Sequence, residues 1–286
     1  MKTVVVTGGT DGIGRGLADE YLRRGDEVLV IGTNAAKGAA FTGAGGKRAH
    51  FLAADLSLVS ENQRLVGHLA ARFPAIDVLV LGARYHHSAR VLTPEGLESN
   101  FALFYLSRFL LSHGLASSLS RAERPVVLNF AAAGQTGPVR WHDLQLEHGY
   151  HGVHAMGHAG RLNDLLGVSF ADIHAGRGIH YVLNHPGVVA TSFAGEYDPV
   201  TAAQVRQLRT VGKTVDTSVA QILPYVDQPG QGRLTAVVEG APVPLDPALF
   251  DRGEAARLRQ VTEKLLADLP GPPATDTRAG RGPGAS

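Results

Sequence analysis

The feature that most restricts the fold of this chain is a glycine-rich segment close to its start. Residues 7–14 contain Gly8, Gly12 and Gly14, and they lie between an apolar run and an amphipathic stretch. Gly8 can turn tightly, Gly12 lets the backbone approach a pyrophosphate, and Gly14 lets a helix pack closely on a sheet. A helix that begins here presents free N–H groups and the positive end of its dipole to phosphates. The segment therefore predicts a dinucleotide-binding loop between a strand and a helix.

Apolar, β-branched runs alternate with helical stretches along the rest of the chain. The predicted strands are Thr3–Thr7, Glu27–Ile31, Arg48–Ala53, Val78–Leu81, Pro125–Phe130, His180–Asn184 and Leu234–Glu239. The predicted helices are Ile13–Arg24, Ala35–Phe41, Glu61–Phe73, Leu97–Ser112, His154–Ala171, Thr214–Val226 and a last one near Arg252–Ala267. Because the strand runs are apolar throughout, both faces of the sheet should be buried. We therefore predict an α/β, doubly wound Rossmann fold with a seven-stranded, mainly parallel sheet.

Domain organisation is expected to be simple, because no linker divides the chain. Residues 1–270 are predicted to form one dinucleotide-binding domain. Within it, residues 192–232 are expected to form a lid over a substrate, or alternatively a surface excursion that covers the sheet edge. Residues 271–286 are rich in Gly, Pro and small polar residues and predict a disordered tail.

Composition excludes several kinds of chemistry and of partner. The chain has no cysteine, which excludes disulfides and thiolate chemistry. The formal net charge of +1 gives no reason to expect a nucleic-acid or membrane partner. No apolar run approaches the roughly 18 residues of a membrane helix, and a strand at Thr3 leaves no room for a signal peptide. A cytoplasmic protein with a small-molecule partner is expected.

Further motifs, taken together with the glycine loop, resemble the short-chain dehydrogenase/reductase family over about residues 1–245. Residues 77–80 are similar to the family's fourth strand, and Asn100 matches its active-site asparagine. Residues 141–145 and 185–187 are most similar to the corresponding segments of the family's retinol-dehydrogenase-like branch. The expected cofactor-binding positions are Gly8, Thr10, Asp11, Gly12, Ile13, Thr33, Asn34, Lys37, Asp55, Leu56, Gly82, Ala83, Phe130, Pro186, Gly187, Val188 and Thr191.

The end of the second strand bears on the choice of cofactor. A carboxylate there would bind the ribose 2′-hydroxyl of NAD and repel a 2′-phosphate. This chain has Thr33 and Asn34 instead, with Lys37 in the first turn of the next helix. NADP(H) is therefore favoured, with NAD(H) as the alternative. Lys37 as a solvated surface lysine is the other interpretation of that residue.

The catalytic set that the resemblance implies is missing. In the family, a Ser and a Tyr face the substrate carbonyl, and a Lys lowers the pKa of the Tyr. The matching positions are Ala132, Met156 and Gly160, so only Asn100 remains. A register that used Tyr150 as the acid would break the spacing to the following strand. It would also turn Tyr150 about 240° round a helix, away from the active face.

Two functions fit this departure. The first is a ketoreductase with a roomy, apolar site for a bulky aromatic ketone and a proton from the substrate or water. In this respect the chain resembles ketoreductases of the simocyclinone (angucyclinone) type, which tailor aromatic polyketide antibiotics. The second is a non-catalytic sensor of NADP(H). The expected substrate pocket consists of Tyr85, His86, Ala132, Met156 and Phe193, although Tyr85 and His86 are equally well interpreted as loop residues.

The histidines leave further alternatives open. His154 and His158 lie four residues apart and have the spacing of metal ligands, but no acidic third ligand accompanies them, so no metal is expected. Either could instead replace the missing proton donor, because imidazole titrates in the useful range. The resemblance also implies that helices near Leu97–Ser112 and His154–Ala171 form a homodimer interface, with a monomer as the alternative.

Overall fold

The computed structural model describes residues 1–134 and 137–269. Gln135, Thr136 and residues 270–286, which include the predicted tail, lie outside the described residues. No helix in the two described ranges is long and apolar enough to cross a membrane.

The strands confirm the predicted Rossmann architecture. In chain order they are β1 (Thr3–Thr7), β2 (Glu27–Gly32), β3 (Ala49–Ala53), β4 (Val78–Leu81), β5 (His86–His87), β6 (Val126–Phe130), β7 (His180–His185), β8 (Gly195–Glu196), β9 (Leu234–Val238) and β10 (Ala241–Val243). Eight strands form one sheet in the order β10-β9-β7-β6-β4-β1-β2-β3, in which only β10 is antiparallel to its neighbour. β5 and β8 form a separate parallel pair.

Helices cover both faces of the large sheet. They are α1 (Gly12–Arg23), α2 (Ala35–Gly45), α3 (Val59–Arg72), α4 (Ser99–Phe101), α5 (Ser107–Gly114), α6 (Ala116–Leu119), α7 (Gly152–Ile173), α8 (Pro199–Val211), α9 (Val215–Asp227) and α10 (Arg252–Asp268). Leu17, Phe41 and Ile222, from α1, α2 and α9, belong to the core on one face. Leu65 and Leu162, from α3 and α7, belong to the core on the other, which α5 and α10 complete. Burial on both faces explains the unbroken apolar strands.

The sheet has one strand more than the predicted seven. β10 returns along β9 through a two-residue turn in which Glu239 and Gly240 both have positive φ, 49° and 83°. A turn of this kind is usually Asn-Gly or Asp-Gly, and Pro242 argues against a strand, so the hairpin carries a weak sequence signal.

Two helical regions also differ from the prediction. The predicted helix Leu97–Ser112 consists of α4, a π-helical segment Ala102–Leu106 and α5. The predicted lid, residues 192–232, contains an unpredicted helix, α8, which Asp198 caps by accepting hydrogen bonds from the amides of Val200 (2.9 Å) and Thr201 (3.0 Å). The second half of that segment is α9, whose Val219, Ile222 and Val226 are core residues.

Candidate cofactor and active site

The carboxyl ends of β1 and β4 lie at the point where the strand order reverses, which is where open α/β sheets have their ligand-binding crevice. The chain places β2 and β3 on one side of this point and β6 and β7 on the other. The Thr7 hydroxyl donates to the Val80 carbonyl (3.2 Å) and accepts from the amides of Gly82 (3.0 Å) and Ala83 (3.2 Å). The predicted positions Gly82 and Ala83 therefore lie against the end of β1. Open α/β sheets bind ligands in such a crevice.

The glycine loop leaves no space for side chains at three positions. Gly8 has a φ of +68°, and a Cβ there would lie 2.8 Å from the Gly82 carbonyl oxygen. A Cβ on Gly14 would lie 2.5 Å from the Gly8 carbonyl oxygen. Gly12 has a φ of +52°, and a Cβ there would lie 2.9 Å from Cγ2 of Thr191. The loop thus presents bare backbone and the first N–H groups of α1, an arrangement that fits a pyrophosphate.

Asp11 and Lys37 meet beside the loop. Asp11 caps α1 by accepting from the Gly12 amide (2.7 Å), and the Lys37 ammonium pairs with the same carboxylate. Burial opposes the ionisation of Asp11, but the hydrogen bond and charge of Lys37 outweigh it and lower the pKa of Asp11. Lys37 thus lies at the edge of the loop as an exposed residue that pairs with Asp11, so both its cofactor role and its interpretation as a solvated surface lysine stay open.

The end of β2 offers hydroxyl and amide groups. Thr33 is exposed, and Asn34 caps α2 by accepting from the Lys37 amide (2.9 Å). Thr10 lies beside the end of β2, because a Cβ on Gly32 would be 3.1 Å from its hydroxyl oxygen. A 2′-phosphate would meet Thr33 and the Lys37 ammonium here, although the Asn34 side chain is already engaged as a cap.

Four other predicted cofactor positions have different surroundings in the structure. Asp55 is exposed, and its carboxylate accepts from the amide (2.9 Å) and hydroxyl (2.7 Å) of Ser57. Leu56 is buried in the core. Ile13 packs against the other core. The Phe130 ring lies beside Gly82, where an added Cβ would be 3.1 Å from the ring.

The segment after β7 carries Pro186, Gly187, Val188 and Thr191. Gly187 has a φ of +69°, and a Cβ there would lie 2.5 Å from Cδ of Glu239. The Val188 carbonyl accepts from the Lys213 amide (3.1 Å). Since Thr191 meets Gly12, this segment extends from the end of β7 to the glycine loop.

The residues at the expected Ser, Tyr and Lys positions lie on neighbouring elements. Ala132 follows β6 and is buried, and a Cβ on Gly160 of α7 would lie 3.0 Å from the Ala132 Cβ. The lack of a side chain at Gly160 therefore lets α7 approach this loop closely. Met156 is half-buried, one helical turn earlier. None of these three side chains can donate a proton.

Asp164 holds the loop that contains Ala132. Its two carboxylate oxygens accept from the amides of Ala133 (2.9 Å) and Gly134 (2.8 Å), residues with φ of +51° and +92°. Burial outweighs these hydrogen bonds and raises the pKa of Asp164 to about 6. Nothing in the local sequence indicated this role, because the contact joins residues 30 and 31 positions apart.

The side chain of Asn100 forms hydrogen bonds with neighbouring groups of the protein. Its oxygen accepts from the His87 amide (3.0 Å), and its nitrogen donates to the His87 carbonyl (2.8 Å) and the Tyr150 oxygen (2.6 Å). The Tyr150 hydroxyl donates to the buried Glu98 carboxylate (2.9 Å). Burial and the Glu98 charge raise the pKa of Tyr150, so this phenol is a poor acid. Tyr150 also precedes α7, which begins at Gly152, so the predicted rotation about a helix does not apply.

A two-strand clasp, formed by β5 and β8, holds the start of the predicted lid. The His86 amide donates to the Ala194 carbonyl (3.1 Å), and the Ser88 amide donates to the Glu196 carbonyl (2.9 Å). The buried His86 ring stacks on Tyr197 at 5.3 Å, and burial lowers the pKa of His86 to about 4. His86 therefore serves to attach the lid, which is closer to the loop interpretation than to a pocket wall.

Arg84, which the sequence analysis did not include among the site residues, reaches Met156. Its guanidinium lies 3.8 Å from the Met156 sulfur, 3.3 Å from the Tyr197 oxygen and 5.5 Å from the centre of the Phe193 ring. Tyr85 points elsewhere, because it is 41% exposed and donates to Glu196 (3.3 Å). The predicted open floor is thus covered at Met156 by Arg84, which in turn contacts the lid residues Phe193 and Tyr197.

The two candidate histidines differ in their surroundings. His158 accepts a hydrogen bond from the Arg140 amide (3.1 Å), and burial lowers its pKa to about 4, so it is neutral near pH 7. His154 is exposed and lies 4.8 Å from the His151 ring. Within residues 1–134 and 137–269, no group of three His, Cys, Asp or Glu side chains could hold a metal ion.

This geometry defines a class of protein: a Rossmann-type α/β protein of the dehydrogenase kind, with its site at the reversal of strand order. A family model described as short chain dehydrogenase matches residues 2–141. Mouse (Mus musculus) retinol dehydrogenase 12 is 31% identical over 196 residues, which cover 66% of this chain and 61% of the relative. The chain belongs to the short-chain dehydrogenase/reductase superfamily, in its retinol-dehydrogenase-like branch.

Two other comparisons extend over more of the chain. A Streptomyces sp. (strain C5) protein to which daunorubicin C-13 ketoreductase activity is ascribed is 27% identical and covers 76% of this chain and 77% of its own length. A short chain dehydrogenase from Burkholderia cenocepacia J2315, solved in complex with NADP, superposes with a TM-score of 0.64 at 20% identity. That match covers 84% of this chain and 97% of the other. The retinol dehydrogenase match spans about three fifths of that relative's length.

Proposed function

We propose that the protein is an NADP(H)-dependent ketoreductase that acts on a bulky aromatic ketone of the angucyclinone type in antibiotic tailoring. The observation that carries the proposal is the bare backbone of the glycine loop at the carboxyl end of β1, where Gly8 and Gly12 have positive φ and the N-terminus of α1 begins, an arrangement that fits a pyrophosphate. Membership of the superfamily supports an oxidoreductase. The ketoreductase ascribed to the Streptomyces relative supports the reaction type, and the NADP complex of the Burkholderia protein supports the cofactor.

The chain's own residues would divide the work of holding the cofactor. The N-terminus of α1 would bind the pyrophosphate. Thr33 and Lys37 would meet the 2′-phosphate, and the segment from Pro186 to Thr191 would border the nicotinamide. When bound in its reduced form, the cofactor supplies a hydride.

The proton has to come from the substrate or from water. Ala132, Met156 and Gly160 have no proton to donate. Tyr150 already donates to Glu98, and His158 is neutral. A phenol beside the ketone in an aromatic polyketide could hydrogen-bond to the carbonyl oxygen and protonate it at high effective concentration. Single replacements of Tyr150 and His158 should therefore leave turnover within a few fold of the wild-type value, and a loss of about 10³-fold would identify a protein acid.

The cofactor assignment is tested by calorimetry. Gly12→Val should abolish NADPH binding, because a side chain would fill the pyrophosphate space and strain a residue with positive φ. Gly43→Val is the matched control, since Gly43 is exposed on α2 with no atom within 4 Å of an added Cβ. Binding retained in Gly12→Val would contradict the loop's role. Tighter binding of NADH than of NADPH would contradict the cofactor choice.

A sensor of NADP(H) is the second candidate, and the cover over Met156 favours it. Arg84 lies against Met156 and beside the Phe193 ring, so a ketone would reach Met156 only after these side chains move. A sensor should bind both redox states with unequal affinity and turn over no ketone. A ketoreductase should consume NADPH, measured by absorbance, when polycyclic aromatic ketones are added.

A further inference from the structure

Among the residues around the crevice, Arg84 differs in that its charged guanidinium lies beside Met156, at the expected active site. It lies three residues after the end of β4, at the edge of the sheet where the glycine loop lies, and it is half-buried. One guanidinium nitrogen is 3.8 Å from the Met156 sulfur. The other is 3.3 Å from the Tyr197 oxygen and 3.5 Å from the Ala194 carbonyl.

The partners of this guanidinium are all neutral. A thioether sulfur is a weak acceptor, and the Tyr197 hydroxyl already donates to the Phe193 carbonyl (2.6 Å). In the part of the chain that the structure describes, no carboxylate forms an ion pair with Arg84, and Glu196 on the lid lies 3.6 Å from His87 instead. A guanidinium has five N–H donors and is charged at every physiological pH. A permanent cation with weak partners at the mouth of a crevice is arranged to bind an oxygen that carries negative charge.

The lid also lies against the Arg84 guanidinium. Phe193 adopts a φ of +46°, a left-handed conformation that is unfavourable for a bulky residue. Its ring nevertheless lies 5.5 Å from the Arg84 guanidinium. A flat guanidinium beside an aromatic ring forms a surface on which a planar aromatic ligand can stack.

We propose that Arg84 is a catalytic residue that binds the reacting carbonyl oxygen and the neighbouring phenol oxygen of the substrate. This inference rests on the proposed ketoreductase function. When the carbonyl carbon gains a hydride from the reduced nicotinamide, which becomes oxidised, the π electrons of the C=O bond move to oxygen. That oxygen takes the proton of the adjacent phenol, and the phenolate left behind is later protonated by water. The two guanidinium nitrogens of Arg84 that contact Met156 and Tyr197 in the structure turn to both substrate oxygens and stabilise the negative charge wherever it resides.

A spectroscopic test measures this charge stabilisation without turnover. The probe is 1-hydroxyanthraquinone, whose phenol lies beside a ring carbonyl, bound in the presence of NADP⁺, and its ionisation is followed by absorbance against pH. Bound to the wild-type protein, the phenol should have a pKa at least about one unit lower than when bound to Arg84→Met. Arg84→Lys should give an intermediate value. Arg90→Met is the matched control, because Arg90 lies on the same loop and donates to the Gln145 carbonyl (3.4 Å).

Kinetics separates a catalytic role from a structural one. With NADPH and a reducible polycyclic ketone, Arg84→Met should lower kcat by about 10²–10³-fold while the Kd for NADPH is unchanged. Guanidinium chloride at millimolar concentration should restore part of the lost rate, which it would not do for a loosened lid. A probe that fails to bind, or that has equal pKa values in wild type and Arg84→Met, would overturn the role of Arg84. An Arg84-dependent pKa in a protein that reduces no ketone would keep the oxyanion site and reject the ketoreductase.

Discussion

Gly195 offers the sharpest test of how the lid is held. It is the first residue of β8, and a Cβ there would lie 2.5 Å from the His86 carbonyl oxygen and 3.0 Å from the His86 nitrogen. These are backbone atoms of the partner strand, so a rotamer change cannot relieve the clash. Gly195→Ala should therefore separate β5 from β8 and release the lid from the site.

Separating the strands costs the free energy of the interactions that join them. At least two backbone hydrogen bonds connect the segments around β5 and β8, from His86 to Ala194 and from Ser88 to Glu196, and each contributes about 0.5–1.5 kcal/mol. The stack of His86 on Tyr197 contributes about 0.5–1.5 kcal/mol more. The clasp is thus worth about 3 kcal/mol, or roughly a hundredfold in its opening equilibrium.

Hydrogen exchange is the appropriate assay, because it reports local opening at single amides. The amides of His86 and Ser88 should exchange about 100-fold faster in Gly195→Ala, while that of Leu79 in β4 is unchanged. Gly67→Ala is the control, since a Cβ on Gly67 meets no atom within 4 Å. Exchange of His86 and Ser88 within twofold of the wild-type rate would refute the clasp.

The free energy of unfolding should also depend on pH through two buried groups, with opposite signs. Burial lowers the pKa of His113 from 6.5 to about 3. Between these two pH values the unfolded chain binds a proton at His113 and the folded chain does not, so the free energy of unfolding falls as pH falls from 6.5 to about 3. Urea unfolding at pH 7 and 4.5 should show a smaller acid loss in His113→Phe, and an equal loss would contradict this. Burial raises the pKa of Asp164 from 3.8 to about 6, so the free energy of unfolding falls by about 3 kcal/mol as pH rises between those values and is constant above them. Asp164→Asn should remove that fall, and an unchanged pH profile would count against it.

Much of the fold was predictable because its signals are local. Doubly buried strands require continuous apolar runs, and these marked β1, β2, β4, β6 and β7 to within one residue at each end. The glycine loop was predictable for the same reason, since positive φ at Gly8 and Gly12 is a property of single residues. The absence of the family's Ser, Tyr and Lys stays a prediction, because it depends on how Ala132, Met156 and Gly160 align with the family's positions.

The partners of the site residues were not predictable, because they depend on contacts between distant parts of the chain. Arg84 and Met156 are 72 positions apart, and Lys37 and Asp11 are 26 apart. No periodicity or spacing encodes where a long, flexible side chain such as Arg84 will point. Amino-acid types and local backbone preferences thus specified the sheet and the loop. Packing of α7 beside the segment after β4 placed the Arg84 cation next to Met156, because only a folded chain brings residues 72 positions apart into contact.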